Sequence, residues 1–201
     1  MSPDMLPWIL ARAGGIVAYL LLAGAMAAGL MVRSRVEVPG AKASQLVAAH
    51  QQLSLLALGA TGVHAAALVA DTYVDIPPLA VLVPGLVPYR PVWSALGVVA
   101  LQALLVVQIS SRLRRHLGVK AWRALHMLAY AAFVLATAHG ITAGTDTARP
   151  WVLAVYAGAT GVVATLTGWR VAAGRRRSTR PRPVRHDGPM ERPVATAAER
   201  R

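Results

Sequence analysis

Four of the six histidines, His50, His64, His126 and His139, fall inside long stretches free of acidic and basic residues. Imidazole binds transition metals through a neutral ring nitrogen and is an axial ligand of haem iron. A lone histidine on an apolar segment reads as a hydrogen-bonded packing residue. Two on each of two segments point instead to a shared ligand. Cysteine is absent, which excludes disulfides, thiolate zinc sites, iron–sulfur clusters and C-x-x-C-H haem attachment. Any cofactor is therefore expected to be held by nitrogen or oxygen ligands. His116 and His186 lie among arginines and read as solvated surface groups.

Spacing sharpens this. His50 and His64 are 14 residues apart, so on a helix they return to within about 40° of one face, separated by about 21 Å of rise. His126 and His139 are 13 apart, about 19.5 Å of rise and so nearly the same difference in depth. A 13-residue step rotates about 140° off face on a straight helix, so the second segment is expected to be overwound, tilted or bent.

The elements that must position these rings are membrane helices. The chain has 201 residues, 56% apolar and only 14% charged, against roughly 45–50% and 25% in soluble domains. Five stretches lack Asp, Glu, Lys and Arg: 13–32, 43–70, 91–111, 124–145 and 150–169. Each reaches the roughly 20 residues that cross a hydrocarbon core of about 30 Å. The expected fold class is an all-α integral membrane bundle of five transmembrane helices. Residues Tyr73 to Arg90 carry Pro77, Pro78, Pro84 and Pro88, too many for a regular helix, and read as an external interfacial cap. A signal peptide ending near Ala25-Met26-Ala27 is the alternative for the first stretch. Asp4 ahead of Arg12, and the length of the apolar run, argue against it.

Basic residues orient the bundle. Arg33, Arg35 and Lys42 separate the first two spans, Arg112, Arg114, Arg115, Lys120 and Arg123 the third and fourth, and Arg170 with nine further arginines follows the fifth. That side is cytoplasmic by the positive-inside rule, with the N-terminus outside and the C-terminus inside. Residues 1–173 form the expected membrane domain. Residues 174–201, rich in Arg and Pro, read as a disordered cytoplasmic tail drawn to anionic membrane lipid. No aromatic or folded module accompanies these arginines, so nucleic acid is not an expected partner.

The histidines occupy the second and fourth spans, which run in the same direction. His50 then faces His126 toward the cytoplasm, and His64 faces His139 toward the outside. Two facing imidazoles at each depth supply both axial bonds of a haem iron, so two non-covalent b-type haems satisfy all four rings. Each ring's other nitrogen needs an acceptor, a carbonyl one turn back or Ser54 or Thr137. Haem-free helix packing is one rival reading. A histidine-lined metal pathway is weaker, because no carboxylate lies in any span.

The same residues resemble the ferric reductase-like transmembrane domain family, which includes NADPH oxidases, iron reductases and the haem-binding subunit of a bacterial methionine sulfoxide reductase system. The resemblance runs over roughly residues 8 to 170. It is carried by His50 with Leu53-Ser54-Leu55-Leu56-Ala57 and His64, by Tyr89-Arg90-Pro91-Val92-Trp93, and by Leu113-Arg114-Arg115-His116-Leu117-Gly118. It continues through Ala121-Trp122-Arg123-Ala124-Leu125-His126, Tyr130, His139-Gly140 and Gly144-Thr145-Asp146. The spacings of 14 and 13 are its most specific part. It implies electron transfer through two haems, bound by His50, His64, His126 and His139, to an acceptor outside a bacterial plasma membrane. Six-span members carry the ligands on spans three and five, so this chain resembles one without the first. No G-x-G-x-x-G follows Arg170, so the flavin is expected on a separate cytoplasmic flavoprotein reductase. The external acceptor stays open. A haem-binding subunit of one dedicated periplasmic reductase is the alternative within this chemistry, and a haem-free scaffold or partner-binding bundle the alternative outside it. Arg33 and Arg123 inside, and Arg12 and Arg90 outside, are candidate partners for haem propionates. Trp122 and Tyr130 are candidates to stack near the inner haem, the cap to lie over the outer one.

Overall fold

Charge-free runs rich in Ala, Leu and Val form helices because no water competes for their backbone groups, and only a helix satisfies all of those groups within one segment. In the computed structural model the helices are α1 (Met5–Ser34), α2 (Ala43–Ala70), α3 (Pro91–Arg112), α4 (Arg114–His126), α5 (Leu128–Ala143) and α6 (Pro150–Ser178). The structure describes residues 5–34, 39–40 and 42–178. Arg35 and the expected tail beyond residue 178, with His186, lie outside the described residues. Among the described residues, five helical segments are long and apolar enough to cross a membrane, with α4 and α5 joined as one. Pro91 opens α3 at a position where its missing N–H is not needed. At the start of α2, the Lys42 backbone N–H donates to Gln45 Oε1 at 2.7 Å.

Two boundaries differ from the sequence expectation. The basic stretch between the third and fourth spans is helical from Arg114. Charge ends an apolar stretch, but Arg, Lys, Leu and Ala remain good helix formers. Only Gly118, at φ 75° and ψ 160°, interrupts it. At the other end α6 runs on to Ser178, past the end of the charge-free stretch at 169.

Helix α1 is the keystone: it packs along α2 and α6 and touches α5, while α3 packs along α5. The core seam joins Tyr19, Leu22 and Met26 of α1 to Phe133 of α5 and Tyr156 of α6. Tyr19 stacks on Phe133 at 5.6 Å and 17°, and tilts against Tyr156 at 4.7 Å and 52°. Leu56, Val63, Val134 and Val162 are exposed on the flanks, where lipid is their natural solvent.

The segment between α2 and α3 is irregular, as its prolines require, apart from a 3₁₀ turn at Pro78–Val81. It closes on its own small core of Ile76, Ala80 and Val87. Gln102 Nε2 of α3 donates to the Leu82 carbonyl at 2.7 Å and ties the cap down. Arg90, in the left-handed region at φ 44°, turns the chain into α3 and donates from Nη1 to the Thr142 carbonyl.

Candidate functional site

The structure brings the four histidines together in two pairs. The rings of His50 and His126 have centroids 6.0 Å apart and planes at 73°. Those of His64 and His139 are 6.4 Å apart at 75°. Helix α2, which carries His50 and His64, makes almost no backbone contact with α4, which ends on His126, or with α5, which carries His139. A slab of space is thus left between two co-directional helices, bridged at two depths by facing imidazoles.

The rotational misfit of the 13-residue step is relieved in part at the α4–α5 joint. There the Met127 N–H is shared between the Arg123 and Ala124 carbonyls, both at 3.2 Å, and Tyr130 N–H donates to the Met127 carbonyl at 3.1 Å. The bonds to Ala124 and Met127 are i to i−3, and a 3₁₀ turn advances about 120° per residue against about 100° in an α-helix, so three such residues recover about 60° of the roughly 140°. The expected bend is local overwinding directly after His126.

Three rings are fixed by neighbouring helices. His50 Nδ1 donates to the Ala25 carbonyl at 2.8 Å, His64 Nδ1 to Ala11 at 2.6 Å, and His139 Nδ1 to Trp93 at 2.9 Å. A carbonyl only accepts, so each Nδ1 carries the proton and each Nε2 keeps its lone pair for a metal. The acceptors are not those expected from sequence. Ser54 Oγ donates to the carbonyl of His50, and Thr137 Oγ1 is spent on Phe133 and Tyr19. Both hydroxyls face their own helix or the core seam, because Ser and Thr in helices bond back to the residue four earlier. Sequence reasoning missed Ala11 and Ala25. The signal for them was their own spacing of 14 residues, which matches the spacing of the histidines they meet on antiparallel α2.

His126 is the exception. Its Nδ1 is buried with no hydrogen-bond partner among the described residues, a state that calls for a missing ion, water or ligand. Trp122, one turn back, stacks on it at 5.1 Å and 30°. Trp122 in turn donates from Nε1 to Ser111 Oγ at 3.3 Å and lies under Arg114 at 4.3 Å. Tyr130 points elsewhere, its hydroxyl 3.5 Å from Thr167.

Of the four candidate arginines, Arg12 is already engaged. Its Nε donates to Asp146 Oδ2 at 2.6 Å, a second guanidinium nitrogen pairs with Oδ1, and Trp8 lies under it at 4.0 Å. Arg90 spends Nη1 on Thr142. Arg33 and Arg123 are exposed at the His50 end. A cavity of about 340 Å³ opens at the other level, lined by His64, His139, Arg12, Tyr19 and the cap residues Ile76 and Val87.

Haem fits this arrangement. Metal–imidazole bonds of about 2.0–2.1 Å, with roughly 1.1 Å from nitrogen to ring centre at each end, put two axial imidazoles about 6.3 Å apart centre to centre. The observed separations bracket that distance. Three tautomers are set for ligation, the fourth ring holds an orphaned buried nitrogen, and the cavity is of cofactor size.

A helical bundle with five segments long and apolar enough to cross a membrane among the described residues, and two tiers of facing histidines between α2 and the joined α4 and α5, defines a multi-pass membrane protein built around paired imidazoles. Residues 14–137 match the family model described as ferric reductase like transmembrane component. The match covers more than half of the chain, which therefore belongs to that family. Such domains generally bind haem and work with a separate redox partner, and membership supports transmembrane electron transfer as the general activity of this chain. The matched stretch contains His50, His64 and His126 and ends two residues before His139. Comparison with curated proteins and with solved structures gives no match.

Proposed function

We propose that the chain conducts electrons across a bacterial plasma membrane through two bis-histidine b-type haems. His50 and His126 hold the inner one, His64 and His139 the outer one. Electrons enter from a flavoprotein at the cytoplasmic face and leave to an acceptor outside. The single observation that carries this reading is the pair of ring separations, 6.0 and 6.4 Å, at two depths between helices that otherwise hardly touch.

Haem iron, when bound, supplies the one-electron chemistry. The chain's own residues position it and control access. The carbonyls of Ala25, Ala11 and Trp93 hold the proton on Nδ1, orient each ring and raise its basicity as a ligand. Trp122 braces His126 from one side. Exposed Arg33 and Arg123 suit propionates at the inner level. At the outer level a propionate must share Arg12 with Asp146. The cap, tied by Gln102 and Arg90, lies over the His64–His139 cavity and limits what reaches it. The basic face near Arg112, Arg114, Arg115 and Lys120 supports an acidic docking partner.

Vesicles reconstituted with the haem-loaded protein and filled with ferricyanide test this. Dithionite added outside is expected to reduce the trapped ferricyanide quickly, and His64→Leu to abolish the effect. Equal rates with and without protein would refute conduction.

A further inference from the structure

The three anchored histidines share a device on the helix they lean against. The carbonyls that accept from them belong to Ala11, Ala25 and Trp93. Four residues on from each stands a glycine: Gly15, Gly29 and Gly97. In a helix the carbonyl of residue i is covered on one side by residue i+4, whose N–H it accepts. A side chain at i+4 would stand where the imidazole comes in. A Cβ on Gly15 would lie 3.1 Å from His64 Nδ1, and one on Gly29 3.0 Å from His50 Nδ1. One on Gly97 would lie 2.8 Å from Cε1 and 2.9 Å from Nδ1 of His139. Three independent sites on two helices repeat the same carbonyl-plus-glycine notch, and on α1 the notches recur at the 14-residue interval of the histidines they hold. Among the described residues His126 Nδ1 has no acceptor, and no glycine there would set a Cβ against its ring.

We propose that Gly15, Gly29 and Gly97 are positioning residues that open the second lone pair of a helical carbonyl to His64, His50 and His139, and so fix each ring as an Nε2 ligand. The inference rests on the haem reading above and adds to it which residues set each ligand. Filling a notch pushes the ring off its carbonyl. Loss of an outer partner of a metal-bound histidine typically costs 10–100-fold in affinity. The ligand also becomes less basic, which favours the reduced iron.

The effect must be confined to one level. Gly15→Ala and Gly97→Ala are expected to weaken the outer haem 10–100-fold and raise its midpoint potential, leaving the inner haem untouched. Gly29→Ala does the same to the inner haem alone. Gly59→Ala and Gly62→Ala, on α2 itself, are the controls, because a Cβ there meets nothing within 4 Å. Haem titration of the purified apoprotein and redox titration of the loaded protein read both quantities, with His50→Leu and His64→Leu identifying the two haems. If Gly97→Ala does not accumulate, Gly15→Ala reads the same haem through a milder contact. Level-specific shifts in the three variants and none in the controls support the assignment. Unchanged affinities and potentials, or equal loss of both haems in any of the three, overturn it. A wild-type chain that binds no haem instead refutes the haem reading itself.

Discussion

Phe133→Ala tests the packing that holds the two histidine tiers in register. Phe133 is the only phenylalanine of the chain, is 4% exposed, and lies seven residues after His126 and six before His139, about 10 Å from each level. It stacks on Tyr19 of α1 and joins α5 to the seam with α6. In water, truncating a buried phenylalanine costs about 3–5 kcal/mol, the sum of a transfer part and a cavity part. In a bilayer the transfer part largely vanishes, because lipid tails are as apolar as the core. What remains is a cavity of roughly 100 Å³ at about 24 cal/mol per Å³, or about 2.4 kcal/mol. The lost ring pair adds about 0.5–1.5 kcal/mol. The expected loss is about 3–4 kcal/mol, read from unfolding in mixed micelles of increasing SDS content by tryptophan fluorescence. Phe133→Leu, which keeps most of the volume, is expected to cost less than about 1.5 kcal/mol. A loss below about 1 kcal/mol for the alanine variant would refute the packed seam.

Other outcomes follow from the same geometry. A double-mutant cycle on Arg12→Gln and Asp146→Asn is expected to give a coupling of about 1–2 kcal/mol, since this pair is charge-assisted, makes two contacts and is partly shielded; a coupling near zero would assign it to the exposed class. Gln102→Leu removes the bond to the Leu82 carbonyl and is expected to cost about 1 kcal/mol. Hydrogen exchange across residues 78–87 should then quicken while α3 stays protected. Reduction by an acidic flavoprotein should slow steeply as ionic strength rises, because its encounter with the arginine-rich face is steered by charge; a rate indifferent to salt contradicts that docking face.

The spans were legible because a bilayer imposes a length and a charge rule that single residues obey without help from neighbours. The pairing of His50 with His126 and His64 with His139 was legible because both spacings match in depth and the two helices run the same way. The joint at Met127 was legible as a necessity, from the misfit of the 13-residue step, but not as a position. The acceptors for Nδ1 were not legible as residues, because they are backbone atoms on α1 and α3 that any side chain could carry; the trace they leave in sequence is the glycine four residues on from each and, on α1, the 14-residue spacing. Arg12 was readable as a cation near the outer level, but not its capture by Asp146, which closes a contact between residues 134 apart. The basic stretch after α3 misled for another reason: charge decides where a chain leaves the lipid, whereas helix propensity decides whether it stays helical.

The most direct test is the haem content of the purified full-length chain together with its two single-ligand variants. The wild type is expected to carry two low-spin b-type haems per chain, and His50→Leu and His64→Leu one each, with different midpoint potentials. A colourless wild type after growth with ample haem, or a variant that keeps both haems, contradicts the account.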